Sequence, residues 1–327
     1  MKLRLLRAED LRRALPMAAA VAAMKQAFAA LSSGRATVPQ RVAVAVEDEG
    51  AVTLVMPALL RDEPRGLGAK LVSVFPGNAG RGKPVVTGLV VALDPQTGEP
   101  AAICDGTFLT AWRTGAASGA ATDLLAREDA RVAAVFGCGA QARTQALAID
   151  AVRELELLRV YARTPESVAR FVAEMAPRVR ASMVAAASPD EAVDGAEIVC
   201  AATSSPRPVF DGRRLAAGAH VNGVGSFTPE MQEVDAETVR RSRVFVDQRQ
   251  AALAEAGDLV IAVRDGATDP ADWIEIGEVA AGSQPGRQAS EDLTFFKSVG
   301  VAVQDVAAVA AALARAEALG LGTEIEL

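Results

Sequence analysis

The sequence is poor in the side chains that build metal centres and histidine-dependent active sites. Its 327 residues include one histidine, three cysteines and only 4% aromatic residues. The cysteines, Cys104, Cys138 and Cys200, are odd in number and far apart, which excludes a disulfide framework and zinc-site spacing. The single His220 lies in an apolar run, which predicts a packed core residue and argues against a Ser-His-Asp mechanism. We therefore expect no metal site, and catalysis must depend on Lys, Arg, Asp, Glu or a cofactor.

The chain also lacks a basic character and long apolar runs. Its formal net charge is −7 at pH 7, which disfavours non-specific nucleic-acid binding. Any anionic ligand must then be attracted by a local basic cluster. No uncharged run is long enough to span a bilayer, and the N-terminal residues lack the apolar core and cleavage site of a signal peptide. These features predict a cytoplasmic protein that binds neither membrane nor nucleic acid, and the length allows two domains.

A dinucleotide-binding fingerprint organises the chain. The apolar run Val132–Phe136 predicts a buried parallel strand, and Gly137, Gly139 and Ala142 follow it as G-x-G-x-x-A before an alanine-rich stretch. The first glycine permits a tight turn, the second lets the backbone approach a pyrophosphate, and the small third residue lets the helix pack on the strand. The helix N-terminus faces the negative charge. This order predicts an α/β fold with a Rossmann domain; the alternative is an ordinary glycine turn in an α/β domain.

The end of the next predicted strand indicates the cofactor. The strand Leu155–Tyr161 is followed by Ala162, Arg163 and Thr164, where an NAD-selective domain carries an acidic residue for the ribose 2′-hydroxyl. A guanidinium and a hydroxyl instead favour the 2′-phosphate of NADP. The sequence therefore predicts a preference for NADP(H). NAD(H) is also possible, since Arg163 could simply face solvent.

Two further predicted strands end in small residues. The strand Ala196–Ala202 is followed by Thr203 and Ser204, and the strand His220–Val224 by Gly225. Open α/β sheets bind their ligands at the carboxyl ends of the strands. These residues are therefore candidates for contact with the cofactor.

Basic residues interrupt apolar segments in the first third of the chain, whose strand pattern predicts a mixed or antiparallel sheet. Lys70 lies within the apolar strand Leu67–Phe75, and Arg41 lies at the start of another strand. Arg113 lies at the predicted start of an alanine-rich helix that ends near Ala126. Each residue alone is compatible with a side chain that reaches solvent. As a set they predict a carboxylate pocket, with arginine forks and a lysine point charge.

A series of motifs extends in order over nearly the whole chain. The motifs are Met56-Pro-Ala58, Gly68-Ala-Lys-Leu-Val-Ser-Val-Phe-Pro-Gly-Asn78, Asp94-Pro-Gln-Thr-Gly-Glu-Pro100, Leu109-Thr-Ala-Trp-Arg-Thr-Gly-Ala-Ala-Ser118, Val135-Phe-Gly-Cys-Gly-Ala-Gln-Ala142, Asn222-Gly-Val-Gly225 and Phe296-Lys-Ser-Val-Gly300. This series resembles the ornithine cyclodeaminase/mu-crystallin family. The resemblance implies a substrate-binding and dimerisation domain of α+β type over residues 1–115, completed by a C-terminal helix over 303–327. It also implies a Rossmann NAD(P)-binding domain over 116–302, and a homodimer.

The resemblance also assigns roles to single residues. Lys70 matches the family's substrate lysine, Arg113 matches its carboxylate-binding arginine, and Arg41 matches a second arginine of the same pocket. The implied ligand is a small anionic cyclic imino acid or an amino acid. The predicted cofactor-binding residues are Gly137, Gly139, Ala140, Gln141, Ala142, Arg163, Thr164, Thr203, Ser204, Val224, Gly225, Ser298 and Gly300.

One departure from the family pattern bears on the reaction. Cyclodeaminases carry a catalytic aspartate just after the Asn-x-Val-Gly segment, and Phe227 occupies that position here. A phenyl ring cannot accept the proton that ammonia release from ornithine requires. The sequence therefore favours a reductase of Δ1-pyrroline-2-carboxylate or Δ1-piperideine-2-carboxylate. Ornithine cyclodeaminase activity remains an alternative if Glu230 or Asp235 supplies the acid. Two further alternatives are an amino-acid dehydrogenase and an NADPH-binding, crystallin-like protein.

Overall fold

The computed structural model describes residues 2–326, and the chain divides into two compact units. Unit 1 comprises Met1–Arg113 and Val301–Leu327, and unit 2 comprises Thr114–Gly300. The terminal residues Met1 and Leu327, which the predicted domain limits include, lie outside the described residues.

Sixteen strands and eleven α-helices are described between residues 2 and 326. In this part of the chain no single helix has the length and apolar character to cross a bilayer. One bent pair, Ala8–Ala14 with Met17–Ser32, meets that test by length and composition only. The strands are β1 (Lys2–Leu6), β2 (Ala36–Thr37), β3 (Val42–Val46), β4 (Ala51–Leu60), β5 (Gly66–Val74), β6 (Val86–Leu93), β7 (Pro100–Asp105), β8 (Val132–Phe136), β9 (Leu157–Tyr161), β10 (Ser182–Ala185), β11 (Ile198–Ala201), β12 (His220–Gly223), β13 (Ser242–Val246), β14 (Ile274–Glu275), β15 (Leu293–Lys297) and β16 (Thr323–Glu326). The helices are α1 (Ala8–Ala14), α2 (Met17–Ser32), α3 (Gly106–Leu125), α4 (Ala140–Val152), α5 (Pro165–Met175), α6 (Pro189–Val193), α7 (Ala236–Arg241), α8 (Arg249–Glu255), α9 (Gly257–Arg264), α10 (Ile276–Ala280) and α11 (Ala302–Ala318).

Unit 1 is built on a mixed sheet. Its strands lie in the order β16-β1-β7-β6-β5-β4-β2, and β3 pairs with β4. Strands β4 to β7 are antiparallel neighbours, whereas β1 runs parallel to β7. Helix α11 packs on β4, β5 and β6 and against α2. Gly66 in β5 allows this close approach, because a Cβ there would lie 2.6 Å from Cγ1 of Val306 in α11.

Unit 2 is a parallel sheet buried on both faces. Its strands follow the order β10-β9-β8-β11-β12-β15-β13-β14, and every neighbouring pair is parallel. Successive residues of β8 alternate between two hydrophobic cores, with Ala133 and Val135 in one and Ala134 and Phe136 in the other. The strand order reverses at β8, which lies between β9 and β11. This topology is that of a Rossmann domain and confirms the predicted fold class.

Some elements differ from the sequence predictions. Arg113 does not lie at a helix start, because α3 begins at Gly106 and places Arg113 two turns inside. Asp105 caps this earlier start by accepting a hydrogen bond from the backbone N of Phe108 at 3.0 Å; the low helix propensity of Gly106 conceals it in the sequence. The sequence patterns also predict no strand at β14, β15 or β16. Strand β14 has two residues, β16 has four, and β15 is buried on both faces, so none carries a long period-two pattern.

His220 is a packed core residue, as the sequence predicts. Its side chain is fully buried, with Nδ1 2.9 Å from Oγ1 of Thr294 and Nε2 3.2 Å from Oδ1 of Asn222. Burial lowers the pKa of His220 to about 3. The imidazole is therefore neutral at physiological pH and serves the hydrogen bonding between β12 and β15.

Candidate functional site

Lys70 is buried within unit 1 against a carboxylate. Strand β5 directs the side chain of Lys70 towards the buried face of the sheet, where it is 2% exposed, and its Nζ lies 2.8 Å from Oδ2 of Asp305 on α11. Burial is the main cause that lowers the pKa of Lys70 to about 8. Asp305 opposes this shift, while the charges of Arg113 and Arg41 add to it. Lys70 can therefore gain or lose a proton close to neutral pH.

Arg113 is anchored along two edges of its guanidinium. Its Nε donates a hydrogen bond to Oδ1 of Asp305 at 3.2 Å, and its Nη1 donates to Oε1 of Gln304 at 2.8 Å. The same Oε1 of Gln304 accepts a hydrogen bond from the backbone N of Val301 at 2.9 Å, which fixes the amide in turn. A guanidinium held in this way keeps one orientation, and its planar fork is suited to pairing with a carboxylate.

The three predicted basic residues form one electrostatic group. Arg41 lies directly before β3, is partly buried, and its charge acts on Lys70. Lys70 and Arg113 share one carboxylate, and Arg41 adds a third positive charge that acts on Lys70, so these four groups carry an excess of positive charge that suits a small anion. We refer to Arg41, Lys70, Arg113, Gln304 and Asp305 as the basic cluster, and all five belong to unit 1.

Gln304 and Asp305 are the members of the basic cluster that the sequence motifs do not single out. They form a polar pair in the first turn of α11, which is otherwise rich in alanine and valine. Their side chains are 0% and 1% exposed. A charged residue is almost never buried without a partner. A carboxylate on an apolar helix is therefore the sequence signal that could have indicated a buried cation.

The glycine turn after β8 has the conformation that a pyrophosphate requires. Gly137 has a φ of +107°, and a Cβ there would lie 2.5 Å from the carbonyl oxygen of Ala202. A Cβ on Gly139 would meet nothing within 4 Å, so the space beside the N-terminus of α4 is open. Gly139 caps α4 without a side-chain hydrogen bond, which leaves the first-turn amides of Ala140 and Gln141 facing that space.

Packing of Ala142 and hydrogen bonds from Arg143 stabilise the glycine turn. Ala142 is fully buried in the core that α4 shares with β8. Arg143 donates hydrogen bonds from Nη1 to the carbonyl oxygens of Cys138 and Gly139, at 2.7 and 3.0 Å, and pairs with Glu174 through Nε and Nη2. The turn and the helix N-terminus therefore fit a dinucleotide pyrophosphate.

Arg163 and Thr164 lie exposed beyond the carboxyl end of β9, the strand next to β8. Thr164 is the N-cap residue of α5, but its hydroxyl makes no capping hydrogen bond. The segment Ala162–Thr164 contains no acidic residue. It therefore offers donors for a phosphate and no carboxylate for a ribose hydroxyl.

A buried carboxylate fixes the loops that follow β11 and β12. Glu233 accepts a hydrogen bond from the backbone N of Thr203 at Oε1, and from those of Gly225 and Ser226 at Oε2, at 2.5 and 3.1 Å. Glu233 is 0% exposed, and burial raises its pKa. The neighbouring Ser204 is exposed. Glu233 thus holds two predicted cofactor loops at the sheet edge that carries the glycine turn.

A buried ion pair supports Glu233. The Nζ of Lys297 lies 2.8 Å from Oδ2 of Asp258, and both side chains are 0% exposed. Oδ1 of Asp258 accepts a hydrogen bond from the backbone N of Glu233 at 2.6 Å. We refer to Glu233, Asp258 and Lys297 as the buried triad, which links the ends of β11, β12 and β15.

The remaining predicted cofactor residues lie at the same edge of the sheet. Asp247 is fully buried, and its Oδ2 accepts hydrogen bonds from Oγ of Ser298 at 3.0 Å and from the backbone N of Gly300 at 2.6 Å. Val224 follows β12 directly and is 8% exposed. The predicted cofactor residues therefore lie at the carboxyl ends of β8, β9, β11, β12 and β15 in unit 2, whereas the three basic residues lie in unit 1.

The segment after β12 bears on the choice between reductase and cyclodeaminase. Phe227 is 44% exposed, and Glu230 is exposed. Asp235 is engaged in local structure, because its Oδ1 accepts from the backbone N of Thr238 at 2.8 Å and its Oδ2 from that of Gly212 at 2.9 Å. A carboxylate occupied in this way is poorly suited to proton transfer with a ligand.

These observations define a Rossmann-domain protein with a second unit that carries a buried basic cluster. The chain belongs to the ornithine cyclodeaminase/mu-crystallin family, whose model matches residues 1–319. It is 36% identical to the Δ1-pyrroline-2-carboxylate reductase of Bacillus cereus over 321 residues, 98% of each chain. Its fold matches that of Thermococcus litoralis Δ1-pyrroline-2-carboxylate reductase, solved with NADH and L-proline, at a TM-score of 0.94 and 37% identity, over 98% of this chain and 100% of that one.

An archaeal alanine dehydrogenase dimer with bound NAD is also similar. It matches with a TM-score of 0.91 and 31% identity, over 100% of both chains. The comparisons confirm the predicted family and the predicted fold class. The names of the two pyrroline-carboxylate reductases agree with the expected reductase activity.

Proposed function

We propose that this protein reduces small cyclic ketimine carboxylates, Δ1-pyrroline-2-carboxylate or Δ1-piperideine-2-carboxylate, to proline or pipecolate with NAD(P)H. The observation that carries the proposal is the basic cluster, in which Lys70 and Arg113 are buried and share the carboxylate of Asp305. A bacterial relative with 36% identity and an archaeal neighbour solved with L-proline support the same substrate class.

In this proposal the basic cluster orients the substrate. Arg113, fixed by Asp305 and Gln304, pairs with the substrate carboxylate, and Arg41 adds a second positive charge. Lys70 places its charge where it polarises the C=N bond. A bound NAD(P)H supplies the hydride. Orientation of a reacting carbon is the main contribution of such a site, because it replaces an improbable encounter by a fixed geometry.

The cofactor in this proposal is NADPH by preference, with NADH accepted. Arg163 and Thr164 are exposed at the end of β9 without a neighbouring acid in that segment, which suits a 2′-phosphate. The first turn of α4, which has no side-chain cap, suits the pyrophosphate of either nucleotide. The archaeal neighbours were solved with NADH and NAD, which supports acceptance of the non-phosphorylated form.

Reductive amination of a 2-oxo acid is the second candidate activity, because the chain is similar to an archaeal alanine dehydrogenase. Ornithine cyclodeamination is disfavoured by Phe227 and by the engagement of Asp235 in local hydrogen bonds. Storage of NADPH without catalysis is disfavoured by the burial of Lys70 and Arg113. Burying two cations lowers the free energy of unfolding, and a protein that only stores NADPH has no use for them.

The proposal includes a cytoplasmic homodimer formed through unit 1. A row of apolar residues crosses the open face of its sheet, because Val42 pairs with Val55, Val55 with Leu71, and Leu71 with Leu89. Val42, Leu71 and Leu89 are 58%, 46% and 48% exposed. Exposed apolar rows of this kind mark interfaces, and the similar alanine dehydrogenase is a dimer.

The direct test measures the loss of NADPH or NADH absorbance when the protein is mixed with each member of a panel of substrates. We expect rapid oxidation with one or both cyclic imines, faster with NADPH. Ammonia release from ornithine without net nucleotide consumption would instead identify a cyclodeaminase, and oxidation only with pyruvate and ammonium would identify a dehydrogenase. Binding of NADPH without turnover of any of these would contradict the enzyme proposal.

A further inference from the structure

One buried amide donor in the basic cluster has no acceptor. The side chain of Gln304 is 0% exposed, and its Nε2 makes no hydrogen bond with any residue between 2 and 326. Oδ2 of Asp305 also lacks a hydrogen bond, but it lies 2.8 Å from Nζ of Lys70 and so has an ionic partner. Native proteins rarely leave a buried N–H group unpaired, because nothing compensates for its removal from water. The NH₂ group of Gln304 is therefore suited to an acceptor that a ligand brings.

The oxygen of the same amide fixes the direction of this donor. Nη1 of Arg113 at 2.8 Å and the backbone N of Val301 at 2.9 Å both donate to one terminal atom of Gln304. Only the oxygen of an amide accepts from two donors, so the other terminal atom is the NH₂ group. Because the two atoms are bonded to one carbon, the unpaired donor lies beside the guanidinium of Arg113.

We propose that Nε2 of Gln304 donates a hydrogen bond to the carboxylate of the substrate, next to Arg113. This inference rests on the proposed ketimine reduction. It adds a neutral, directional donor to the three cations of the basic cluster and makes Gln304 a substrate-binding residue.

The chemistry of the cluster indicates a carboxylate as the acceptor. The hydrogen bonds of Arg113 to Asp305 and Gln304 use Nε and Nη1, and Nη2 takes part in neither. A carboxylate has two oxygens with about four acceptor sites, so one oxygen can face Nη2 while the other faces Nε2 of Gln304. The excess positive charge of the cluster favours such an anion over a neutral carbonyl group.

The structural tasks of Gln304 do not explain why this residue is a glutamine. Gln304 is the third residue of α11, and its Oε1 accepts from the backbone N of Val301, a capping bond that glutamate makes equally well. A glutamate would also suit the positive end of the helix dipole and would pair more strongly with Arg113. What glutamine adds is the NH₂ group, which binds a carboxylate where a glutamate would repel it.

Gln304→Glu is the first test, because it keeps the oxygen that accepts from Val301 and Arg113 and replaces only the NH₂ group. We expect a Tm no lower than that of wild type and an unchanged affinity for NADP⁺. With NADP⁺ bound, the affinity for the unreactive analogue pyrrole-2-carboxylate, measured by calorimetry, should decrease at least about a hundredfold, because an acceptor of like charge replaces the donor.

Gln304→Met is the companion variant, since it has a similar length but neither a donor nor a charge. It should lower the affinity for pyrrole-2-carboxylate by about 10- to 150-fold, the range of a hydrogen bond to a charged group. Its affinity for NADP⁺ should equal that of wild type. A decrease in both variants shows that the loss does not depend on an added negative charge.

Nuclear magnetic resonance separates direct contact from an effect through Arg113. The side-chain ¹⁵N–H signal of Gln304 is identified by its absence in Gln304→Glu. When pyrrole-2-carboxylate is added to the NADP⁺ complex, this signal should move downfield and its hydrogen exchange should slow. Gln145 is the control in the same spectrum, because it is equally buried and its Nε2 already donates to the carbonyl oxygen of Thr114 at 3.5 Å. A role limited to capping and anchoring predicts no change at Gln304.

The inference is overturned if wild type binds pyrrole-2-carboxylate while the signal of Gln304 stays in place, or if Gln304→Glu binds the analogue within about threefold of wild type. A shift on addition of NADP⁺ alone also overturns it, because the donor then serves the nucleotide. These outcomes leave the proposed function intact, since turnover of the imines by wild type tests that. A wild-type protein that oxidises no NAD(P)H with either imine overturns the proposed function and this inference with it.

Discussion

At the scale of single residues, the candidate site depends on buried charges. Their removal from water is unfavourable, and a neighbouring residue of opposite charge compensates for it. Lys70 and Arg113 lie in apolar surroundings, and Asp305 is the carboxylate that compensates both. The residue types already indicated a carboxylate pocket in the sequence, because Lys70 interrupts an apolar strand. The position of Asp305 on an apolar helix indicates that this carboxylate needs a buried cation, but the sequence could not identify that cation. The pairing with Arg113 spans more than 190 positions and is specified by the packing of α11, not by any local pattern.

Arg163 permits a prediction about cofactor choice. If its guanidinium pairs with the 2′-phosphate, Arg163→Ala should raise the KM for NADPH by about 10- to 100-fold, the value of a charge-assisted hydrogen bond. The KM for NADH should change little, so each nucleotide serves as the control for the other. Steady-state kinetics with both nucleotides would measure this. An equal change for NADPH and NADH would contradict the assignment of Arg163 to the phosphate.

At the scale of elements, the sequence predicts most clearly what has a strong local pattern. The glycine turn after β8 and the helix after it follow the prediction, because each role in G-x-G-x-x-A depends on residue size and backbone conformation. The two edge strands β1 and β16 pair with each other across more than 300 positions of chain. Their charged, short sequences carry no signal of that pairing, so they could only be found in the structure.

The buried triad yields a prediction about the loops after β11 and β12. In Glu233→Gln one of the two acceptor oxygens becomes an NH₂ group. This group then faces either the backbone N–H of Thr203 or those of Gly225 and Ser226. The free energy of unfolding should decrease by about 1–3 kcal/mol. Hydrogen exchange of these amides should accelerate, and NADPH should bind more weakly by fluorescence titration.

Glu230→Gln is the control for this prediction, because Glu230 lies in the same segment and is exposed. It should change neither stability nor nucleotide affinity. If Glu233→Gln retained wild-type amide exchange and NADPH affinity, the role of Glu233 in holding the loops would be wrong.

At the scale of the whole molecule, the fold class and the family were both predictable. Alternating apolar strands and helices with one fingerprint specify a Rossmann domain, and the motifs specify the family. The proposed dimer interface does not follow from these sequence patterns. The apolar row on unit 1 could not be recognised from sequence, because it depends on the register of four strands that places Val42, Leu71 and Leu89 on one line.

The proposed dimer can be tested by a charge in this row. Leu71→Lys would place an unpaired ammonium in the interface and should weaken association at least about a hundredfold, as measured by sedimentation velocity. Leu253→Lys is the matched control, since Leu253 is also 46% exposed but lies in unit 2. A Leu71→Lys variant that stays as dimeric as the control would show that the row is not the interface.

The central claim is that the basic cluster recognises the carboxylate of a cyclic imine. The most direct measurement is kcat/KM of the wild-type protein for Δ1-pyrroline-2-carboxylate and for Δ1-pyrroline, which has the same ring without the carboxylate. A site with buried charged groups rejects a ligand that leaves them unpaired, so we predict a preference of at least about a thousandfold for the carboxylate. Equal kcat/KM values for the two imines would contradict the account.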